Sequence, residues 1–310
     1  MALAQPAVDQ PIDWEVAEKQ VGLWGDAWQR FRRNRLAVLG GVLVLFLLLV
    51  AVLSPLLVHF GLIQDPYHQD VANIEATPGM AGHPLGSDEL GRDTLARLMY
   101  GSQISLTVGL LVQAIIFPIG LAIGLTAGYA GGRIDNLLMR FTDIWYAFPD
   151  LLFVLVVVSV WHPSGSPFFQ LLPIFGAIAL VNWVGLARLI RGQVLSIKEK
   201  EFIEAARSSG SAPIKLVLKH LLPNSLGPII VTLTFGIPQA IFLEAVLSFL
   251  GVGIQPPTPT WGQMVFDGYE AVYANPTSAV FPALAIGCTL LAFSFIGDGL
   301  RDALDPRMRR

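Results

Sequence analysis

The stretches Leu36 to Val58 and Gly101 to Gly132 contain no charged residue at all. Each is long enough to cross a hydrocarbon core, which takes about 20 residues of α-helix. Apolar runs of this length read as membrane-spanning helices. With 54% hydrophobic and 14% charged residues and a mean hydropathy of +0.60, the chain lies far from soluble domains, in which about 25% are charged. An all-α integral membrane protein is expected.

Four further spans follow: about Ile144 to Trp161, Leu171 to Ala187, Leu226 to Leu250 and about Ala279 to Gly297. Asp143, Pro149 and Asp150 make the start of the third the least defined boundary. Pro118, Gly120, Gly124 and Gly128 stud the second, and small residues at such spacing favour close helix contact in lipid. Leu95, Leu98 and Met99 suggest a separate short helix on the membrane surface. Six spans place both termini on one side.

Lysine and arginine assign the sides. With the amino terminus inside, cytoplasmic segments receive Lys19, the cluster Arg30 to Arg35, Arg133, Arg140, Arg188, Arg191, Lys198, Lys200, Arg207, Lys215, Lys219, Arg301, Arg307, Arg309 and Arg310. Only Arg92 and Arg97 fall outside, so the positive-inside rule puts both termini in the cytoplasm. The chain then divides into a cytoplasmic segment 1–35, the first span 36–58, an extracytoplasmic loop 59–100, a five-helix core 101–298 and a cytoplasmic tail 299–310. Trp14, Val21, Trp24, Trp28 and Phe31 interleave with charge in the first segment. That pattern is either an amphipathic helix lying on the inner surface or a loosely ordered tail with aromatic anchors.

The longest polar interruption of the second half, Glu201 to Pro223, reads as helix, turn, helix. Ser208, Ser209 and Gly210 stop the first helix, because glycine takes the left-handed C-terminal position freely. Ser211 and Pro213 restart it, serine by accepting from free amides and proline by occupying the first turn. Ile214, Val217, Leu218 and Leu221 form one face of the second helix, Lys215 and Lys219 the other, and Pro223 closes it.

These residues carry a resemblance. Glu204, Ala205, Ala206, a three-residue gap, Gly210, and then Leu222 and Pro223 resemble the EAA signature of permease subunits of ABC importers. His220 before LLPN is similar to the peptide-permease branch, where the general pattern has an aliphatic residue. The runs HPLGSDELGRD (His83 to Asp93), EAVLSFLGVGIQPPTPTWGQM and GDGLRDALDPR resemble the second permease subunit of dipeptide, oligopeptide and nickel importers. The resemblance spans nearly all of Ala27 to Arg307. It implies the type I ABC importer transmembrane fold, in a multi-pass protein of a bacterial inner membrane. Implied partners are a homologous second permease subunit forming a heterodimer, two ATP-binding subunits, an extracytoplasmic substrate-binding protein and lipid, with no nucleic acid. The loop 201–223 is then the ATPase-coupling element, with Glu204, Ala205, Ala206, Gly210, Leu222 and Pro223 as its site residues. Di- or oligopeptides are the implied cargo, with nickel or glutathione as alternatives. An ion-coupled secondary transporter and a membrane scaffold are rivals of other classes.

No catalytic residue is assigned. The chain lacks a GxxxxGK[ST] phosphate loop, so ATP and Mg are expected at partner subunits, with no cofactor on this chain. Glu244, inside the fifth span about two turns before Gly251, is a gate or structural residue, since an ionisable group in a span is a functional candidate by default. Asp298, Arg301, Asp302 and Asp305 are expected to make local helical ion pairs. Asp88, Glu89, Arg92 and Asp93 can pair within the outer loop. His59, His68, His83 and His162 lack ligand-like spacing and read as solvated, so no metal site is expected. Cys288, in an apolar run, reads as a buried structural thiol. Substrate-contacting residues stay unassigned.

Overall fold

The computed structural model describes residues 23–80, 82–161, 167–273 and 275–305. Among them the regular structure is helical: α1 Leu23–Arg33, α2 Arg35–His59, α3 Thr94–Ala130, α4 Gly132–Tyr146, α5 Asp150–Val160, α6 Pro167–Lys198, α7 Glu201–Ser208, α8 Pro213–Leu216, α9 Leu222–Phe249, α10 Trp261–Glu270 and α11 Thr277–Leu304. A π-helical segment, Val217–Leu221, joins α8 to α9 without a break. Expectations placed on Trp14, Lys19, Val21, His162 and Arg307 to Arg310 lie outside the described residues.

Five helical stretches are long and apolar enough to cross a membrane: α2, α3, α6, the continuous α8–α9 rod and α11. The pair α4 and α5 makes a sixth if counted as one bent span. The third expected span is therefore not one straight helix starting near Ile144. It is two helices meeting at 72°, because Pro149 provides no N–H to continue the α4 ladder and biases Phe148 away from helical geometry. The second span also differs from expectation. Leu95, Leu98 and Met99 do not form a separate surface helix but the first turns of α3, whose amino end is capped by Asp93 accepting from Ala96 N at 2.8 Å.

The core lies between α3 and α6. In α6 61% of the apolar window is buried, against 22% for α2 and α11, so α6 is central and the other two present apolar flanks outward. Glycines set the α3–α6 distance. A Cβ on Gly124 would lie 2.6 Å from the Ala187 carbonyl oxygen, and one on Gly128 would lie 2.8 Å from Val194 Cβ. Gly120 packs the same way on Leu186, so the small-residue stripe is the seam on which the core helices meet.

α2 and α11 approach as closely through Gly40 and Gly299, where added Cβ atoms would meet Ala292 O and Ala37 Cβ. α1 packs against α11, with Ala27 buried and Trp24 and Trp28 exposed. Its described part is thus an amphipathic helix, with Asp26 and Arg30 paired at 3.0 Å. Cys288 corrects the expectation of a buried thiol: it is exposed on α11. Asp298, Arg301 and Asp302 are also exposed, and among the described residues they make no ion pair.

Candidate functional site

The loop after α6 begins on an anchored base. Arg191 grips Asp135 of α4 with two hydrogen bonds, Nε to Oδ1 at 2.5 Å and Nη2 to Oδ2 at 2.7 Å. Bidentate guanidinium–carboxylate pairing fixes orientation as well as distance. Lys198 donates to the Tyr129 carbonyl at 2.6 Å at the end of α3. The last turns of α6 are therefore tied to both α3 and α4 before the chain leaves the bundle.

α7 closes through a two-bond glycine cap. Ser211 N donates to Ala206 O at 3.2 Å and Gly210 N to Arg207 O at 3.0 Å, the reciprocal pair that ends helices in a left-handed residue. Gly210 has φ +75°, and a Cβ there would meet nothing within 4 Å. Glycine is required for conformation and not for space. α8 restarts at Pro213, as expected, but its cap residue is Ala212 with no side-chain bond, so Ser211 does not act as the cap.

The second helix does not end at Pro223. It runs on into α9 because the segment widens first: Leu222 N reaches back to Val217 O in the π register. A π turn absorbs one extra residue and accommodates a proline that makes no backbone bond of its own. The apolar face is also divided differently from expectation. Leu216 and Leu221 are buried in the core with Ile203, whereas Ile214 and Leu218 are exposed.

Glu204 and Ala205 are exposed, Ala206 and Leu222 are half-buried, and Pro223 is exposed. The surface of the loop thus carries carboxylates at Glu201 and Glu204 beside apolar Phe202, Ile214 and Leu218, which are 43%, 65% and 56% exposed. Both carboxylates lie in the first turn of α7, where the helix dipole favours them. Among the described residues Glu204 has no ion-pair partner.

Glu244 sits elsewhere. It is fully buried near the carboxyl end of α9, accepting from Ser248 Oγ at 2.9 Å and Ser105 Oγ at 3.3 Å. Ser105 in turn accepts from Trp261 N at 3.3 Å. Glu244 therefore joins α3, α9 and α10. α10 was not foreseen: after the prolines of GVGIQPPTPT the chain turns helical at Trp261, with Thr260 Oγ1 capping Gln263 N at 3.0 Å.

The loop between α2 and α3 forms a second site, foreseen only in part. Asp88 pairs locally with Arg92, as expected, at 2.7 Å, but it also faces Arg97 Nε at 3.2 Å, and Asp267 of α10 stands 3.5 Å from Arg97 Nη2. Both guanidinium groups are nearly inaccessible to solvent. Burial pushes the Asp267 carboxyl above its ordinary range against the pull of Arg97 and Arg92, and burial likewise raises Glu89. His83 is not solvated as expected. It is 1% exposed and its Nδ1 lies 3.1 Å from Asp93 Oδ1. Asn275 reaches from the α10–α11 turn to the Ala76 and Ser87 carbonyls, each at 3.2 Å.

Comparison with known proteins also finds a helical membrane protein. Residues 120–310 match the family described as binding-protein-dependent transport system inner membrane component. The chain belongs to this family. Residues 22–78 match the N-terminal TM domain of oligopeptide transport permease C. The chain is 42% identical over 286 residues to the dipeptide transport system permease protein DppC of Bacillus subtilis (strain 168), covering 92% of this chain and 86% of that protein. It is 41% identical over 306 residues to the oligopeptide transport system permease protein OppC of Haemophilus influenzae (strain ATCC 51907 / DSM 11121 / KW20 / Rd), covering 97% and 95%. A structure titled as an inward-facing conformation of the MetNI methionine ABC transporter shares the fold. It has a TM-score of 0.51 at 21% identity, over 68% of this chain and 97% of that one. The ABC importer permease is thus shown, and the ion-coupled transporter and the scaffold fall away.

Proposed function

We propose that this chain is the second permease subunit of a bacterial inner-membrane importer for di- or oligopeptides, and that residues 201–223 seat it on an ATP-binding subunit. The observation that carries the coupling role is the rigid, glycine-capped α7–α8 elbow. It exposes Glu204, without an ion-pair partner among the described residues, beside apolar Phe202, Ile214 and Leu218, a surface suited to a protein groove and costly to leave in water. The peptide cargo rests on the names of the relatives.

In this reading the basic face of the molecule, both termini included, lies in the cytoplasm, and ATP with Mg is bound and hydrolysed only by two partner subunits. A homologous permease completes the pathway, and an extracytoplasmic binding protein delivers cargo to the face formed by 59–93 and α10. ATP favours the form in which the two ATPase grooves are closed, and a ligand shifts an equilibrium only through such differential affinity. The elbow converts groove displacement into movement of α6, and the Arg191–Asp135 clamp passes it to α4. Glu204 supplies a charged contact, Ala205 and Ala206 allow close approach, and Gly210 sets the turn. Leu222 and Pro223 shape the π hinge into α9. Glu244 holds the outer ends of α3, α9 and α10 together.

The test is reconstitution with the partner permease, both ATPase subunits and the binding protein in proteoliposomes. ATP-dependent uptake of peptide, and hydrolysis stimulated by loaded binding protein, are expected. Hydrolysis that ignores loaded binding protein, or uptake driven by an ion gradient without ATP, would overturn the reading.

A further inference from the structure

A cavity of about 240 Å³ opens beside the core, between α3, the α4–α5 bend, α6 and α9. Its apolar wall carries three side-chain amides: Gln113 near the middle of α3, Asn182 near the middle of α6, and Gln239 of α9. Among the described residues, Asp150 at the start of α5 is the one charged side chain in the lining.

The amides are placed for a guest. Among the described residues neither Gln113 nor Gln239 makes a side-chain hydrogen bond. Asn182 uses its Nδ2 on the Ile178 carbonyl at 2.9 Å and leaves Oδ1 free. Gly236 makes the position of Gln113 possible: a Cβ there would lie 2.5 Å from Gln113 Oε1. An amide facing lipid at this depth loses its hydrogen bonds to water with nothing in return, so polar side chains within spans face water-filled paths or partners.

We infer that this cavity is the part of the translocation path contributed by this subunit, and that Gln113, Asn182 and Gln239 hold the peptide bonds of the passing cargo. The inference rests on the peptide reading above and deepens it. A peptide bond offers one donor and one acceptor whatever side chain it bears, and a primary amide offers both. A wall of neutral amides therefore engages any peptide through its backbone and discriminates little among sequences. Conduction also requires sites weak enough to release what they bind, which neutral amides meet more readily than a ring of charges.

The experiment uses the complete transporter in proteoliposomes, with tri-alanine as cargo and Gln113→Met/Gln239→Met as the variant, a near-isosteric change that removes the amides. Uptake should fall about ten-fold, the order expected when a desolvated peptide group loses its partner, while hydrolysis stimulated by the loaded binding protein stays near the wild-type rate. Gln113→Asn, which keeps an amide and shortens its reach, should retain most of the uptake. Unchanged uptake in the double variant would overturn the inference and leave the cavity to a partner helix or lipid. Loss of uptake and hydrolysis together, or equal loss in Gln113→Asn, would make the amides packing contacts and overturn it as well. If the wild-type transporter takes up no peptide at all, the peptide reading falls and the inference with it. Wild-type uptake with indifferent variants removes the inference alone.

Discussion

The two ends of the helix bundle are finished in opposite ways. At one end the loop 59–93 closes on itself and on α3, α10 and α11, with Arg92 and Arg97 buried between Asp88 and Asp267 and Asn275 bridging from the far end of the chain. At the other end the elbow 201–223 leaves Glu204 unpaired among the described residues and exposes Phe202, Ile214 and Leu218. Two turn glycines state the contrast. Gly91 has φ +73° and a Cβ there would sit 2.1 Å from the Asp70 carbonyl oxygen, whereas Gly210 has φ +75° with open space around it. One end buries its guanidinium groups against carboxylates, and the other leaves its carboxylates and its turn exposed.

Breaking the two turns should give the largest difference. Gly91→Ala combines left-handed strain with a backbone clash and should cost about 3 kcal/mol or more, read as loss of folded protein in detergent. Gly210→Ala carries only the conformational cost, about 1 kcal/mol, and should leave a folded chain. Next come the carboxylates. Asp88→Asn takes the nearer of two carboxylates from two buried guanidinium groups and should lower stability by about 3 kcal/mol. Glu204→Gln should leave the melting temperature of the isolated chain unchanged and reduce ATP hydrolysis in the assembled transporter. Equal destabilisation by the two changes would erase the contrast.

Smaller effects sharpen it. Arg191→Met removes the clamp on Asp135, but the arginine side chain is 33% exposed, so a loss of about 1 kcal/mol is expected after solvent screening. Coupling between hydrolysis and uptake should weaken with it. The smallest effect is on pH dependence. The Asp267 carboxyl is raised above 3.8 by burial, so its favourable contribution to folding is fully present below 3.8 and fades as pH rises through the higher folded value. Asp267→Asn should flatten the acid side of the stability curve, measured as melting temperature against pH. An unchanged profile would show that Arg92 and Arg97 already keep the group ionised.

The sequence made legible whatever rests on neighbours in the chain. Charge-free runs marked the spans, Gly210 and Pro213 marked the elbow, and the glycines of α3 marked the helix seam, because propensity and periodicity are local. What escaped depends on distance or exception. Arg97 meets Asp267 across most of the chain, so local pairing accounted only for Asp88 and Arg92. Pro223 reads as a helix stop unless a π turn precedes it, and Trp261 begins a helix behind a proline-rich run. Pro149 between two aspartates blurred a span that is in fact bent. Gln113, Asn182 and Gln239 drew no notice because a lone neutral amide in an apolar run carries no spacing signal until the helices converge.

The central claim, that the elbow is the seat of an ATPase subunit, is tested most directly by cross-linking in the assembled transporter. With Cys288→Ser removing the exposed native thiol, Ala205→Cys should cross-link to an ATPase subunit carrying a groove cysteine. Val71→Cys on the outer loop should not. Cross-links from position 71, or none from position 205 in a transporter that still hydrolyses ATP, would contradict the account.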